Sequence, residues 1–354
     1  MFMHVFDYSF LKDVPFSSDM ITKVSRIESL RMRASYVIRE HPDVMRDMEA
    51  VAKVMSVRGS NAIEGIVTTD DRIIALANGS VAPKGHSESE IAGYRDALEI
   101  VHARFDSLEI EEKTILRLFS VMNAQSDGPT GYKTRDNAIM DVDLDGTRRI
   151  RFLPASAAEV PSAMEQLILA YRDARDDTGI NNLLLIPCFI LDFLCIHPFI
   201  DGNGRMSRLL TLLLMYKEGY DVGRYVSVES RINASRDAYY DALSASSVGW
   251  HENVSDYRPF ISYMTGVMMM CYKEMDRRFQ AIEGSVIGKS DRIRDMALNS
   301  ILPVSKSELA KMMPDVSVTT IEKVLGEMVA EGSIRKVGGN RNARYVRASD
   351  DVWP

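Results

Sequence analysis

One stretch of thirteen residues, 196–208, combines side chains that suit phosphate chemistry. It reads Ile-His-Pro-Phe-Ile-Asp-Gly-Asn-Gly-Arg-Met-Ser-Arg. His197 is a candidate general base, and Asp201 is a candidate metal ligand. An amide between two glycines can present backbone N–H groups to an anion, and arginines can grip phosphate oxygens with paired donors. The anion-binding candidates are Gly202, Asn203, Gly204, Arg205 and Arg208.

The flanking segments predict two helices joined by a tight turn. Residues 183–196 are apolar almost all round, which indicates a buried helix. Pro198 disfavours helical geometry at His197, so this helix is expected to end there. A second, amphipathic helix is expected from about Gly204 to Tyr216. The turn then lies at a helix N-terminus, where unsatisfied N–H groups favour phosphate, and the two arginines, three positions apart, share one helical face.

Residues 197–208 resemble, without a gap, the signature His-x-Phe-x-Asp/Glu-Gly-Asn-Gly/Lys-Arg-x-x-Arg of the Fic (filamentation induced by cAMP) family. The resemblance implies transfer of AMP from ATP to a hydroxyl side chain of a target protein. It implies that His197 takes the hydroxyl proton and that Asp201 holds Mg²⁺ at the α- and β-phosphates. The other implied roles are an anion cradle at Gly202, Asn203 and Gly204, charge neutralisation by Arg205 and a γ-phosphate contact by Arg208.

One position of the signature bears on the type of transfer. The Doc branch of this fold phosphorylates its targets, and it typically carries Lys where this chain has Gly204. The glycine therefore favours adenylyl over phosphoryl transfer.

Residues 44–65 predict an amphipathic helix, because apolar residues recur every three or four positions. Glu64 lies near its end, where the helix dipole disfavours an anion unless a cation faces it. On the helix alone, a solvated Glu64 is the simpler interpretation. However, the segment from Ser60 through Glu64 to Gly65 resembles the Fic inhibitory motif, Ser/Thr-x-x-x-Glu-Gly/Asn. The resemblance implies that Glu64 pairs with Arg208 and keeps the γ-phosphate out of its productive pose.

Between residues 128 and 153, two short strand-like runs flank Asp145-Gly146, which predicts a β-hairpin. In Fic proteins a hairpin in this position, the flap, docks the target segment by strand pairing. A surface hairpin without a special role is the alternative. Lys133 and Arg135 are expected to be solvated surface rather than nucleotide or target contacts. Downstream, a helix is expected over 230–242, and by resemblance it offers the adenosine-pocket candidates Asn233, Tyr239 and Tyr240.

The last segment, roughly 286–347, has the pattern of a separate module. Three helices, with a turn at Pro314-Asp315, precede a hairpin with strands at 334–337 and 344–347, an order that resembles a winged helix. Residues 286–354 hold eleven Lys and Arg against nine Asp and Glu, a net charge of +2. A basic wing indicates DNA contact. Acids on the third helix would repel phosphates and favour a protein-interaction or dimer module instead; they are Glu322, Glu327 and Glu331.

Composition places the chain among soluble globular proteins rather than basic nucleic-acid binders. It has 354 residues, a net charge of −7 and three cysteines. The odd, sparse cysteine count fits a reducing cytoplasm, and Cys188 and Cys195 read as small core residues rather than a metal or redox pair. The N-terminus lacks the pattern of a secretory signal. The longest apolar run, 183–200, is interrupted by polar residues and proline, which indicates a core helix rather than a membrane span.

Together these patterns predict a mainly α protein with a Fic-type helical core, a hairpin flap and a C-terminal winged-helix domain. The expected domains are an N-terminal helical region (1–110), a catalytic core (111–284) and a winged-helix-like domain (285–354). The predicted function is self-inhibited transfer of AMP, with Mg²⁺ and ATP, to a Ser, Thr or Tyr hydroxyl of a target or of the protein itself. The alternatives are a DNA-binding regulator with a nucleotide-sensing core, and Glu64-dependent removal of AMP. A cytoplasmic location is expected, and a homodimer stays open.

Overall fold

The computed structural model describes residues 4–13, 15–126, 128–142, 148–283, 288–299, 303–313, 316–339 and 343–348. Helices dominate. They are α1 (Ser18–Glu40), α2 (Pro42–Ile63), α3 (Asp70–Ala77), α4 (Gly85–Arg104), α5 (Glu112–Asn123), α6 (Val160–Asp176), α7 (Asn182–Ile196), α8 (Asn203–Lys217), α9 (Val228–Ala234), α10 (Arg236–Ser247), α11 (Arg258–Glu283), α12 (Lys289–Asn299), α13 (Lys306–Met312) and α14 (Val318–Ala330). Short strands are β1 (Ile139–Val142), β2 (Arg148–Phe152), β3 (Val304–Ser305), β4 (Ile334–Val337) and β5 (Arg344–Arg347). Single 3-10 turns lie at Ser9–Lys12, Phe105–Ser107 and Asp221–Arg224.

The chain divides into two units. Residues 1–28 and 52–271 form the first, and residues 29–51 and 272–354 form the second. In the first unit, every residue of α7 from Leu183 to Ile196 is buried, and α7 packs against both α6 and α8. The mainly α fold, with a buried helix followed by a second helix at the signature stretch, is confirmed.

The end of α2 belongs to the first unit and is positioned there by a close backbone approach. A Cβ at Gly59 would lie 2.7 Å from the backbone nitrogen of Ser230, so only glycine fits there. One turn earlier, Ser56 donates a 2.8 Å hydrogen bond to the buried carboxylate of Glu229. Tyr94 of α4 donates to the same carboxylate at 2.9 Å. These contacts fix where the last turn of α2 lies.

The predicted hairpin is present, with β1 antiparallel to β2 and Asp141 opposite Arg149. Its predicted turn at Asp145-Gly146 lies outside the described residues. The single helix expected over 230–242 is wrong, because α9 and α10 are separated at Ser235. The Ser235 hydroxyl bonds to the carbonyl of Arg231 at 3.0 Å and to Tyr263 at 2.8 Å, and such side-chain bonds compete with helix continuation.

The C-terminal segment contains the predicted helices and hairpin, with β3 as a further short strand. Its sheet has the strand order β3-β5-β4, all antiparallel. The acids of α14 are engaged within the second unit: Glu322 pairs with Lys306 at 2.6 Å, and Arg294 pairs with Glu327 and Glu331. The predicted turn at Pro314-Asp315 and the tip of the hairpin at 340–342 lie outside the described residues. Among the helices that the structure describes, none combines the length and apolarity needed to span a bilayer.

Candidate functional site

His197 stands at the junction between α7 and the signature loop. It adopts a left-handed conformation, φ 52° and ψ 60°, directly after the last turn of α7. Pro198 explains the change of direction, because a residue before proline avoids right-handed helical geometry. The ring nitrogen Nδ1 lies 3.3 Å from the carbonyl oxygen of Leu194. A carbonyl only accepts, so Nδ1 carries the hydrogen and Nε2 keeps a lone pair when the ring is neutral.

The surroundings of His197 keep its ring neutral. Burial, the largest effect, lowers the pKa of His197 to about 4, and the charge of Lys133 lowers it further. The Leu194 carbonyl and the carboxylates of Glu64 and Asp201 act in the opposite direction without restoring the ordinary value. At neutral pH, Nε2 is therefore free to accept a proton.

The loop between the two helices is shaped by its own side chains. Phe199 stacks on Phe119 of α5 with ring centroids 3.5 Å apart. The Asn203 amide accepts from the backbone N–H of Phe199 at 3.0 Å and donates to the carbonyl of the same residue at 2.7 Å. Gly202 has φ 80°, which favours glycine. The Asn203 side chain thus closes the turn. The first backbone N–H groups of α8 have no carbonyl partner within the helix and can therefore serve as donors to an anion.

Asp201 is the exposed carboxylate of the site. Its side chain is 82% exposed, and its Oδ1 accepts from the N–H of Gly202 at 2.7 Å. The other oxygen lies 4.0 Å from the guanidinium of Arg205. This leaves Asp201 open to solvent at the N-terminal end of α8.

Arg205 is buried, with 2% of its side chain exposed, and it donates from Nη2 to Oε1 of Glu90 at 2.6 Å. Its Nε and Nη1 are buried and have no hydrogen-bond partner in the described structure. Glu90 belongs to α4 and was not identified from the sequence, where it reads as one of several acids on a polar helix face.

Arg208 reaches the last turn of α2 with three hydrogen bonds. Its Nε donates to the hydroxyl of Ser60 at 2.9 Å, and its Nη2 donates to the Ser60 carbonyl at 2.9 Å and to Oε1 of Glu64 at 2.8 Å. That carbonyl is among the last four of α2, which lack partners within the helix. Burial alone would lower the pKa of Arg208, but the charges of Glu64 and nearby tyrosines raise it overall. Arg208 therefore caps α2 as well as pairing with Glu64.

Gly204 lies directly under the Glu64 carboxylate. A Cβ at this position would be 2.1 Å from Oε1 of Glu64 and 3.2 Å from Nη1 of Arg208. The structure thus brings Ser60 and Glu64 against the residues of the signature. Gly65 follows with φ 76°, the left-handed conformation in which glycine commonly ends a helix.

The prediction that Lys133 is solvated surface is wrong. Lys133 is 4% exposed, and its Nζ donates to the side chain of Asn137 at 2.9 Å and to the Ile196 carbonyl at 3.4 Å. Its backbone N–H donates to the carbonyl of Pro198 at 2.8 Å. Burial lowers the pKa of Lys133 to about 8. Arg135, in contrast, is exposed as expected.

Two of the three adenosine-pocket candidates are in contact, because the rings of Tyr239 and Tyr240 lie 5.3 Å apart between centroids. Tyr239 is buried among aromatic rings, 5.9 Å from Phe260 between centroids. Tyr240 is half-buried, and the guanidinium carbons of Arg151 and Arg236 lie 5.3 Å and 5.7 Å from the centre of its ring. Asn233 is exposed on α9.

A comparison with protein families agrees with the resemblance of the signature stretch. Residues 108–215, which include β1, β2, α7 and most of α8, match the Fic/DOC family. The chain therefore carries a Fic domain.

Individual proteins extend this similarity beyond the domain. The chain is 24% identical over 302 residues to protein adenylyltransferase fic-1 of Caenorhabditis elegans, covering 81% of this chain and 53% of that protein. It is 25% identical over 245 residues to protein adenylyltransferase Fic of Drosophila persimilis, covering 68% of this chain and 44% of that protein. The chain thus spans about half the length of the curated relatives it matches.

Two solved structures share the fold. A Fic family protein from Desulfovibrio desulfuricans G20 superposes with a TM-score of 0.62 at 19% identity, covering 95% of this chain and 98% of that one. A Fic domain containing signaling protein from Bacteroides thetaiotaomicron superposes with a TM-score of 0.61 at 20% identity, covering 74% of this chain and all of the other. At these identities the likeness establishes the fold.

Proposed function

We propose that this protein transfers AMP from ATP to a Ser, Thr or Tyr hydroxyl of a target protein and is restrained by its own α2. The observation that carries the proposal is the convergence of a neutral histidine and two buried arginines at the N-terminal end of α8. The names of the curated relatives, protein adenylyltransferases, support the same reaction. A cytoplasmic location is part of the proposal.

His197 acts on the attacking hydroxyl. Its Nε2 takes the hydroxyl proton as the oxygen forms a bond to the α-phosphorus of ATP, and the bond from that phosphorus to the bridging oxygen breaks. Diphosphate leaves, and AMP stays on the target. Nucleotidyl transfer of this kind depends on positioning and charge neutralisation more than on covalent participation by the protein. Arg205 and Arg208 supply the positive charge, and the backbone from Gly202 to Gly204 supplies N–H donors.

The residues present fit a magnesium ion. In the described part of the chain, no cluster of three or more His, Cys, Asp or Glu side chains forms a complete metal cage. Mg²⁺ is commonly held by one or two carboxylates together with substrate phosphates, and the exposed carboxylate of Asp201 suits that arrangement. When bound, the ion would neutralise phosphate charge.

Glu64 restrains the site by competing for Arg208 and by filling space above Gly204. To reach a γ-phosphate, Arg208 must leave its 2.8 Å bond to Glu64. An anionic phosphate beside the Glu64 carboxylate also meets like charge. Ser60 adds a second hold on Arg208, because both of its oxygens accept from the guanidinium.

The proposal is tested by incorporation of label from α-labelled ATP with Mg²⁺. We expect weak labelling by wild type and stronger labelling by Glu64→Gly. One charge-assisted hydrogen bond at a partly exposed site contributes about 1–2 kcal/mol, and the expected gain is roughly 5- to 30-fold. Adding His197→Ala to Glu64→Gly should abolish the signal. Glu64→Gln, which keeps the size but not the charge, should fall between wild type and Glu64→Gly.

Two results would overturn parts of the proposal. Label that persists in the double variant would remove His197 as the base. A Glu64→Gly protein that binds ATP and stays as silent as wild type would remove inhibition by Glu64.

The hairpin is the proposed docking site for the target. Met140 and Ile150 lie opposite each other and are 40% and 59% exposed, so the hairpin offers apolar side chains as well as main-chain groups to an extended segment. Tyr240 is the proposed adenosine neighbour, because its ring is partly exposed whereas the adjacent Tyr239 is buried.

The C-terminal elements α12 to β5 are proposed to form a winged helix. DNA binding by this module stays a prediction. Its ion pairs neutralise the acids of α14 that would repel DNA phosphates. The same ion pairs also occupy the basic residues Arg294 and Lys306.

A further inference from the structure

Glu90 is a buried acid that contacts the signature from a separate helix. It is 8% exposed, and it accepts from Nη2 of Arg205 at 2.6 Å across 115 residues of sequence. A buried guanidinium is costly without an opposite charge, so Glu90 stabilises Arg205 where it stands. Glu90 accepts a hydrogen bond from only one of the three nitrogen atoms of the Arg205 guanidinium group.

The other two nitrogens of Arg205 have no acceptor among the described residues. Nε and Nη1 are buried, and neither has a hydrogen-bond partner in the described structure. Buried donors without partners carry a desolvation cost that a bound anion would remove. Arginine commonly binds phosphate through two such donors at once. The arrangement is therefore a buried guanidinium in which an acid holds one nitrogen and the other two are unsatisfied donors.

Glu90 and Glu64 differ in what they obstruct. The Glu64 carboxylate lies 2.1 Å from the place of a Cβ on Gly204, so it fills the space at the start of α8. Glu90 is not among the nearest atoms to a Cβ at either Gly202 or Gly204. Glu64 thus fills space at the start of α8, whereas the contact of Glu90 with the signature is made through the Arg205 guanidinium.

We propose that Glu90 is a positioning residue that holds Arg205 in the orientation required by the nucleotide phosphates. This inference rests on the proposed function, because it takes the start of α8 as the phosphate site. The two acids thus act in opposite directions: Glu64 restrains nucleotide engagement through Arg208, and Glu90 promotes it through Arg205.

The test measures the affinities for ATP and for adenosine by calorimetry in the Glu64→Gly protein, with and without Glu90→Ala. If Glu90 positions a phosphate-binding arginine, its loss should weaken the affinity for ATP and leave the affinity for adenosine unchanged. We expect ATP binding to weaken by roughly tenfold or more, equivalent to about 1.4 kcal/mol. Glu90→Gln should lose less ATP affinity, because the glutamine carbonyl oxygen can still accept a hydrogen bond from Nη2 of Arg205. In labelling assays, KM for ATP should rise more than kcat falls.

Glu88 provides a matched control on the same helix. It is also 8% exposed, and it accepts from Nε of Arg72 at 2.9 Å, an ion pair outside the signature. Glu88→Gln should leave the ATP affinity unchanged. An equal loss for ATP and adenosine, an equal loss in Glu88→Gln, or tighter ATP binding in Glu90→Ala would overturn the proposal.

The same variants separate this inference from the proposed function. If Glu64→Gly labels and Glu90→Ala binds ATP as before, the role of Glu90 is wrong and AMP transfer stands. If Glu64→Gly does not label but Glu90→Ala selectively loses ATP affinity, the transfer reaction is wrong and the role of Glu90 in holding the phosphate-binding arginine stands.

Discussion

Gly204→Ala should release the proposed restraint without changing either partner of the ion pair between Glu64 and Arg208. The new Cβ would lie 2.1 Å from Oε1 of Glu64, whereas an ordinary contact begins near 3.4 Å. The carboxylate must therefore retreat by about 1.3 Å, the difference between these two distances. The backbone of residue 204 is helical and lacks a positive φ, so alanine itself fits the local conformation.

The size of the effect follows from the contact that is lost. A retreat of Glu64 stretches its 2.8 Å bond to Arg208 unless the guanidinium follows. Two bonds of 2.9 Å to Ser60 oppose that movement. Loss of one charge-assisted hydrogen bond at this partly exposed site corresponds to about 1–2 kcal/mol. Labelling should rise by roughly 5- to 30-fold and should not exceed that of Glu64→Gly.

The assay compares wild type, Gly204→Ala, Glu64→Gly and the double variant with α-labelled ATP. The double variant shows whether the added methyl group hinders the reaction once the carboxylate is gone. We expect it to label like Glu64→Gly. The reasoning is refuted if Gly204→Ala stays at the wild-type level while the double variant is fully active, because the methyl group would then be accommodated without moving Glu64.

Two further predictions concern the pKa of His197 and the buried carboxylate of Asp192. Lys133→Met, made in the Glu64→Gly protein, should raise the pKa of His197, because the lysine charge favours the neutral ring. The pH at which the labelling rate falls on acidification should then be higher. An unchanged pH dependence, or an equal shift in the exposed control Arg135→Met, would contradict this. The Asp192 carboxylate accepts three hydrogen bonds of 2.7 Å, and Asp192→Ala leaves their donors without an acceptor. This substitution should lower the free energy of unfolding, measured by denaturant titration, by about 3 kcal/mol or more. Asp192→Asn keeps an acceptor and should lower it much less. An equal cost for both substitutions would show that the hydrogen bonds are not the source of the stability.

The Asp192 carboxyl also gives a pH dependence of known sign. Burial, the largest effect, raises its pKa to about 6 from an ordinary 3.8, although hydrogen bonds from Trp250, Tyr257 and Tyr8 lower it. The folded state then binds more protons than the unfolded state between these values. Its contribution to stability is fully present below pH 3.8 and is lost as the pH rises through 6. Asp192→Asn should remove this dependence.

The local framework of the site could be predicted because it depends on short-range rules. Pro198 disfavours helix at His197, the glycine at 202 permits a left-handed turn, and the apolar run before them has the pattern of a buried helix. Each of these effects acts within a few residues, so the sequence predicts the order helix, loop, helix. The break at Ser235 was not predicted, because it depends on a hydrogen bond to Tyr263 on another helix.

The burial of charged side chains could not be predicted from the local sequence pattern. Lys133 sits in a polar segment and reads as surface, yet the fold places its ammonium group against the end of α7. Glu88 and Glu90 are two positions apart on one helix and look alike in sequence. They face different partners, Arg72 and Arg205, which only the packing of α4 decides.

The same limitation explains why one acid of the site was predicted and the other was not. Arg208 meets Glu64 across 144 residues, and Arg205 meets Glu90 across 115. No local spacing rule connects residues so far apart, and Glu64 was identified only because a short motif marks its helix end. Glu64 directly follows the last residue of α2 and its side chain is 31% exposed, so it can be displaced from Arg208. Glu90 lies within α4 and its side chain is only 10% exposed, so its displacement would leave the buried charge of Arg205 unpaired. These positions support the two proposed roles, restraint by Glu64 and positioning by Glu90.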